Sequence, residues 1–314
     1  MVVPLALVDM ALLLPDYEAF GAATPARPGA PPGPASGKFQ GRARMWTRHG
    51  AADNRGTTDP TEGAAMRAPV AAPAGTAAAA VHVTKVYGHG RGAVTALDDV
   101  TVGFQAGTFT AVMGPSGSGK STLLHLLGGL DTPTSGRLHV EGRDLTGAGQ
   151  TALTVLRRDR IGVVFQAYNL LPTLTVAENI RLPLALAGRR PDPSWLERLV
   201  AALGLGGWLG RRPTELSSGQ QQRVAVARAL VTRPALLLAD ESTGALDSAT
   251  GNDLLALLRA TCRDAGQTIV MVTHDPRVAC WAQRIVFLAD GRVTGELADP
   301  TPDAVLDRLS RQER

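Results

Sequence analysis

Residues 114 to 121 read Gly114-Pro115-Ser116-Gly117-Ser118-Gly119-Lys120-Ser121, a run of the form G-x-x-x-x-G-K-S. Gly114, Gly117 and Gly119 permit backbone angles that side chains forbid, so the loop can close around an anion. The N–H groups of residues 117 to 121 then point at phosphate oxygens, and the positive end of the helix that follows adds to the same attraction. Lys120 is placed to reach the β- and γ-phosphates, the Ser121 hydroxyl is placed to ligate Mg²⁺, and Thr122 completes the phosphate-binding set. This chemistry is the binding of a nucleoside triphosphate. A second group of residues could act on it. The apolar run Leu236-Leu237-Leu238-Ala239 ends in Asp240-Glu241, where Asp240 would help hold Mg²⁺ and Glu241 would orient or deprotonate an attacking water. His274, after the run Thr268 to Thr273, could hydrogen-bond the γ-phosphate, and Gln166, after Ile161 to Phe165, could reach Mg²⁺ or the water. Taken singly, His274 also reads as a structural histidine and Gln166 as a solvated loop residue.

These residues need elements to hold them. The β-prone run Phe109 to Met113 leads into the phosphate loop, and a helix from Lys120 to Gly129 leads out. Val81-His82-Val83 and Val100 to Phe104 alternate like half-exposed strands, which predicts a small antiparallel sheet ahead of the loop. Gly136 to Val140 and Ile161 to Phe165 are further strands. Residues 173 to 232 turn helical, with runs at 175–187, 194–203 and 218–232 punctuated by Gly and Pro. Strands at 236–239 and 268–273 then alternate with helices at 248–264 and 276–283, and a hairpin of Ile285 to Ala289 with Arg292 to Leu297 turns on Asp290-Gly291. Apolar strands alternating with helices predict an α/β fold with a parallel core sheet. The strand ending at Asp240 is expected to lie beside the strand that feeds the loop. The expected parts are a cassette over residues 79–314 and a helical subdomain over about 167–232.

Residues 1–78 differ in kind. Ten of the chain's 21 prolines fall there among Gly, Ala and Ser, a composition that predicts disorder or a start codon chosen upstream of the true one near Met66 or later. The stretch Met1 to Leu14 is interrupted by Pro4 and Asp9 and is too short to span a bilayer. Any membrane work is therefore expected through a partner. The net charge of +4 fits either an ordinary surface or docking near anionic lipid, and no dense basic block with aromatics points to nucleic acid. Cys262 and Cys280 stand alone, which suits packing in a reducing compartment, and six scattered histidines make no H-x-x-x-H pair for a metal.

Leu216-Ser217-Ser218-Gly219-Gln220-Gln221-Gln222-Arg223 resembles the signature loop of the ATP-binding-cassette (ABC) ATPases. Small residues there would expose N–H groups at a helix N-terminus. The order matches that family throughout: phosphate loop, Gln166, signature, Asp240-Glu241, Asp247 and His274, with Tyr87 in Lys85-Val86-Tyr87-Gly88 matching the aromatic that stacks on adenine. The resemblance implies ATP and Mg²⁺ as ligands and a head-to-tail homodimer, in which Ser217, Ser218, Gly219 and Gln220 face the ATP held by a second copy. It departs from the family in having Ser218 for Gly and Ser242 for Pro, and a positive φ at Ser218 would cost about 1 kcal/mol or more. The runs 130–136, 160–166 and 169–179 resemble the macrolide-exporter and lipoprotein-release (MacB/LolD) branch, with the cell-division ATPase FtsE as a relative. That branch implies a separately encoded membrane permease docked near Gln166 to Asn179, attachment at the cytoplasmic face of the membrane, and export or extraction of a substrate. A regulatory or soluble ABC ATPase, acting on a cell-wall hydrolase, DNA or ribosomes, is the alternative.

Overall fold

The computed structural model describes residues 75–240 and 248–312. Two sheets share the work of positioning the phosphate loop. The first is antiparallel and joins β1 (Thr76–Tyr87), β2 (Val94–Gln105), β4 (Ser135–Val140) and β5 (Arg143–Asp144) in the order β2-β1-β4-β5. Thr76, Ala77 and Ala78, placed by composition in the N-terminal extension, form the start of β1 instead, where Thr76 pairs with Gln105 and Ala78 with Phe104 and Val140, and Ala77 and Ala78 are buried. The other described part of that extension is Gly75 alone.

The second sheet joins β3 (Phe109–Met113), β6 (Ile161–Val164), β7 (Leu236–Asp240), β8 (Thr268–Thr273), β9 (Arg284–Ala289) and β10 (Arg292–Ala298) in the order β10-β9-β3-β8-β7-β6. All neighbours are parallel except β9 and β10, which form the hairpin at Asp290-Gly291 with both residues at positive φ. One expectation fails here. The strand carrying Asp240 pairs with β8 and β6, so β8 stands between it and β3. A strand's own apolar run says that it is buried, not which buried strand lies next to it.

The strands of this sheet read as unbroken apolar runs because both faces are covered. In β3, Phe109, Ala111 and Met113 face one core with the helical insert, while Val112 faces the other, shared with the antiparallel sheet. Helix α1 (Lys120–Leu127) packs into that second core through Leu123, Leu124, Leu126 and Leu127, each about 1% exposed or less and each worth roughly 2 kcal/mol of burial. Helix α2 (Gln150–Arg160) was not legible in the sequence. Its Arg157 is buried and donates to the Gly129 carbonyl, closing the turn that ends α1.

The insert carries α3 (Val176–Leu186), α4 (Pro193–Ala202) and α5 (Ser218–Leu230). Each starts on a capping side chain: Thr175 with Glu178 in a capping box, Asp192 before Pro193, and Ser217 with Gln220 in a second box. Helices α6 (Ser248–Ala265), α7 (Pro276–Ala279) and α8 (Pro302–Gln312) complete the set. Helix α7 is a single turn, shorter than the expected 276–283, since β9 already begins at Arg284. No helix among the described residues is long and apolar enough to cross a membrane.

Candidate nucleotide-binding site

The phosphate loop is framed by backbone on two sides. A Cβ on Gly114 would sit 1.9 Å from the Leu288 carbonyl oxygen, and one on Gly119, at φ 97°, would sit 2.3 Å from that of Ala96. Glycine at both positions is thus demanded by close approach, and at Gly119 by conformation as well. The Gly291 N–H donates to the Ser118 carbonyl at 3.2 Å, and the Asp98 N–H donates to Gly291 at 2.8 Å. The turn of the final hairpin and strand β2 therefore hold the loop from behind. Pro115, Ser116 and Gly117 remain exposed, whereas Ser118 is buried and its hydroxyl has no hydrogen-bond partner.

Lys120 is 6% exposed, and its ammonium bridges the carbonyls of Gly114 at 3.0 Å and Pro115 at 2.7 Å. The cation is stored across the mouth of the loop. Ser121, next on α1, is exposed and donates its hydroxyl to Asp240 Oδ1 at 3.1 Å. A hydroxyl beside a carboxylate at the surface suits a hard cation such as Mg²⁺, which keeps waters and phosphate oxygens for its other ligands. Among the described residues no group of three or more His, Cys, Asp or Glu could hold a metal by itself.

Tyr87 ends β1 and is 41% exposed. Its hydroxyl donates to Asp131 Oδ2 at 2.8 Å and lies within hydrogen-bond reach of the Thr122 hydroxyl, so the aromatic and the start of α1 belong to one site. Burial pushes the Tyr87 phenol up from its ordinary value, and the Asp131 carboxylate adds to the shift.

Gln166 is exposed on the turn that leaves β6. The two residues after Ala167, Tyr168 and Asn169, both adopt left-handed backbone angles, φ 59° and 47°. Arg228 of α5 donates to their carbonyls at 2.7 and 2.5 Å. Sequence reasoning missed this arginine because a partly buried cation held by backbone carbonyls leaves no charge pattern to read. His274 is exposed immediately after β8.

In the Ser217 to Gln220 segment, the Ser217 hydroxyl accepts from the Gln220 N–H at 3.3 Å, and the Ser217 N–H donates to the Gln220 side-chain oxygen at 2.9 Å. Ser218 is the first helical residue of α5 and has no positive φ, so the strain considered for a serine at that position does not arise. Glu241, Ser242 and Asp247 lie outside the described residues.

A family model described as "ABC transporter" matches residues 97–244. The ABC transporter ATP-binding protein MJ0796 of Methanocaldococcus jannaschii is 44% identical over 221 residues, which are 68% of this chain and 94% of that protein. The chain belongs to the ABC transporter family. This ABC protein is also 51% identical over 201 residues to the lipoprotein-releasing system ATP-binding protein LolD of Anaeromyxobacter dehalogenans, covering 63% of the chain and 83% of LolD. It is 44% identical over 234 residues to the macrolide export ATP-binding/permease protein MacB of Marinobacter nauticus, covering 74% of the chain and 36% of MacB. It thus spans about a third of the macrolide export relatives it matches. A dimeric post-hydrolysis structure of the MJ0796 cassette bound to ADP and Pi superposes with a TM-score of 0.66 at 40% identity, over 71% of this chain and 99% of that one.

Proposed function

We propose that this ABC protein is the ATP-binding and ATP-hydrolysing subunit that drives a separately encoded membrane permease in export or extraction, held at the cytoplasmic face of the membrane by that permease. The observation that carries the reading is the convergence of Lys120, Ser121 and Asp240 on one face of a glycine-framed loop. The coverage of LolD and of MJ0796 over most of their lengths supports a subunit that works with a separate permease.

In this reading Tyr87 stacks on adenine, the N–H groups of Gly117 to Ser121 take the phosphates, and Thr122 closes the set beside them. Lys120 exchanges the carbonyls of Gly114 and Pro115 for β- and γ-phosphate oxygens. Ser121, Asp240 and Gln166 fit as ligands of Mg²⁺, which when bound supplies positive charge to the phosphate oxygens. Glu241 accepts the proton of the attacking water as its oxygen bonds phosphorus and the bond to the bridging oxygen breaks, leaving ADP and phosphate. His274 donates to the γ-phosphate. Ser217, Ser218, Gly219 and Gln220 meet the γ-phosphate on a second copy of the chain, with Asp247 at the same interface, so the ATP charge joins a homodimer that ADP leaves apart.

The Glu241→Gln variant tests this. It is expected to bind ATP and accumulate as a dimer in size-exclusion chromatography, with ADP giving monomer. Hydrolysis at the wild-type rate by that variant would remove Glu241 from the role of base. Co-purification with a membrane permease checks the partner, and recovery with ribosomes or DNA instead would overturn the transport reading.

A further inference from the structure

The ring of Tyr87 is gripped from two directions, by Lys85 over its face and by Asp131 at its hydroxyl. Lys85, two residues earlier on β1 and on the same face of the strand, is only 9% exposed and sets its ammonium 4.7 Å from the centre of the Tyr87 ring. That ammonium also donates to Asp131 Oδ1 at 2.6 Å and to the Thr132 carbonyl at 2.8 Å. Asp131 accepts from Lys85 and the Thr132 N–H on one oxygen and from the Tyr87 hydroxyl on the other, at 2.8 Å. Thr134 ties the same loop to β1 twice, through its hydroxyl to the Val86 N–H and through its own N–H to the Thr84 carbonyl.

Asp131 sits on the loop that leaves α1, the helix whose N-terminus carries Lys120 and Ser121. The carboxylate therefore fixes the tyrosine relative to the element that holds the phosphates. A ring with an ammonium over one face and its hydroxyl bound has one face left for a flat partner.

We infer that Lys85 and Asp131 are positioning residues which hold the Tyr87 ring as a pre-formed platform, open on one face, for the base of the bound nucleotide. The inference rests on the assignment of Tyr87 to the base in the proposed function. Without the clamp, a half-exposed tyrosine at a strand end must be ordered by the nucleotide itself, and affinity falls by that cost. The clamp acts on the ring that meets the base, so a ligand that has the phosphates and no base feels it far less.

The test compares the affinity for ATP with that for inorganic triphosphate, measured by calorimetry on the full chain with Mg²⁺ present. In Asp131→Asn, Lys85→Met and Tyr87→Phe, ATP is expected to bind about five- to tenfold more weakly while triphosphate binding changes less than about twofold. Tyr87→Phe removes only the hydroxyl, so it reports on the clamp even if a change at Asp131 unsettles the loop. The double variant Tyr87→Phe with Asp131→Asn is expected to lose less than the sum of the two single changes, because the Tyr87–Asp131 bond is common to both. Equal losses for ATP and triphosphate would overturn the inference, as would unchanged ATP affinity in Asp131→Asn. Tyr87→Ala separates the two levels. If it leaves ATP affinity intact, the base assignment itself fails; if it weakens ATP and the clamp variants do not, only the clamp fails.

Discussion

Replacing Arg228 by Met probes how the signature helix α5 is connected to the turn that carries Gln166. Burial pushes this guanidinium down from its ordinary value to about 10, which corresponds to a cost of about 3 kcal/mol for holding the partly buried cation in the fold. The cost is fully present at neutral pH, since it is relieved only as pH rises through the lowered value. Two hydrogen bonds from a charged donor, to Tyr168 and Asn169, return about 3–6 kcal/mol. The difference leaves a net stabilisation of about 0–3 kcal/mol, so Arg228→Met should remain folded and melt no more than about 12 °C lower. Its local effect is larger. Tyr168 and Asn169 hold left-handed angles worth about 2 kcal/mol of strain together, and Arg228 is what opposes their relaxation. Released strain of that size shifts the turn by about 30-fold in population, and Gln166 with it. The turnover number should fall by about tenfold, while ATP affinity by calorimetry changes less than twofold. Arg228→Lys should fall between, because one ammonium does not match two carbonyls held by a planar fork. A folded Arg228→Met protein with wild-type turnover would refute the argument, whatever its melting temperature.

Ser121→Ala removes one oxygen from the pair facing Asp240 at an exposed position. It should raise the Mg²⁺ concentration needed for half-maximal nucleotide binding by about tenfold with little change in thermal stability, and unchanged Mg²⁺ dependence would remove Ser121 from the cation site. The raised phenol of Tyr87 keeps its proton, and so its bond to Asp131, until pH passes above the ordinary tyrosine value. The preference for ATP over inorganic triphosphate should accordingly hold from neutral pH to about pH 10 and decline only beyond it. A decline already at neutral pH would show that another group controls the platform.

The phosphate loop, the strand that feeds it and the helix that leaves it were legible because their constraints are local. Glycines at 114 and 119, an apolar run before them and Lys-Ser after them leave few other arrangements. The three helices of the insert were legible in the same way, as helical runs punctuated by Gly and Pro. What was not legible depends on chain segments far apart. The placing of β8 between β3 and β7 is set by packing between buried strands whose sequences are interchangeable to the eye. Helix α2 escaped notice because only Leu153, Leu156 and the buried Arg157 face inward among Thr and Arg. The clamp on Tyr87 joins residues 46 and 44 positions apart in the chain, a pairing no local pattern announces.

The backing of the phosphate loop by Leu288 and Gly291 sets an order of events during synthesis. The loop and α1 leave the ribosome early, but the backbone that presses on Gly114 and receives the hold of Ser118 is made about 170 residues later, about 10–30 s at ordinary elongation rates. Through that interval the emerging chain carries a glycine-rich segment whose rear wall does not yet exist. A nascent chain stalled before Leu288 should therefore fail to retain nucleotide, and nucleotide capture by the growing polypeptide becomes a marker that its last hairpin has closed.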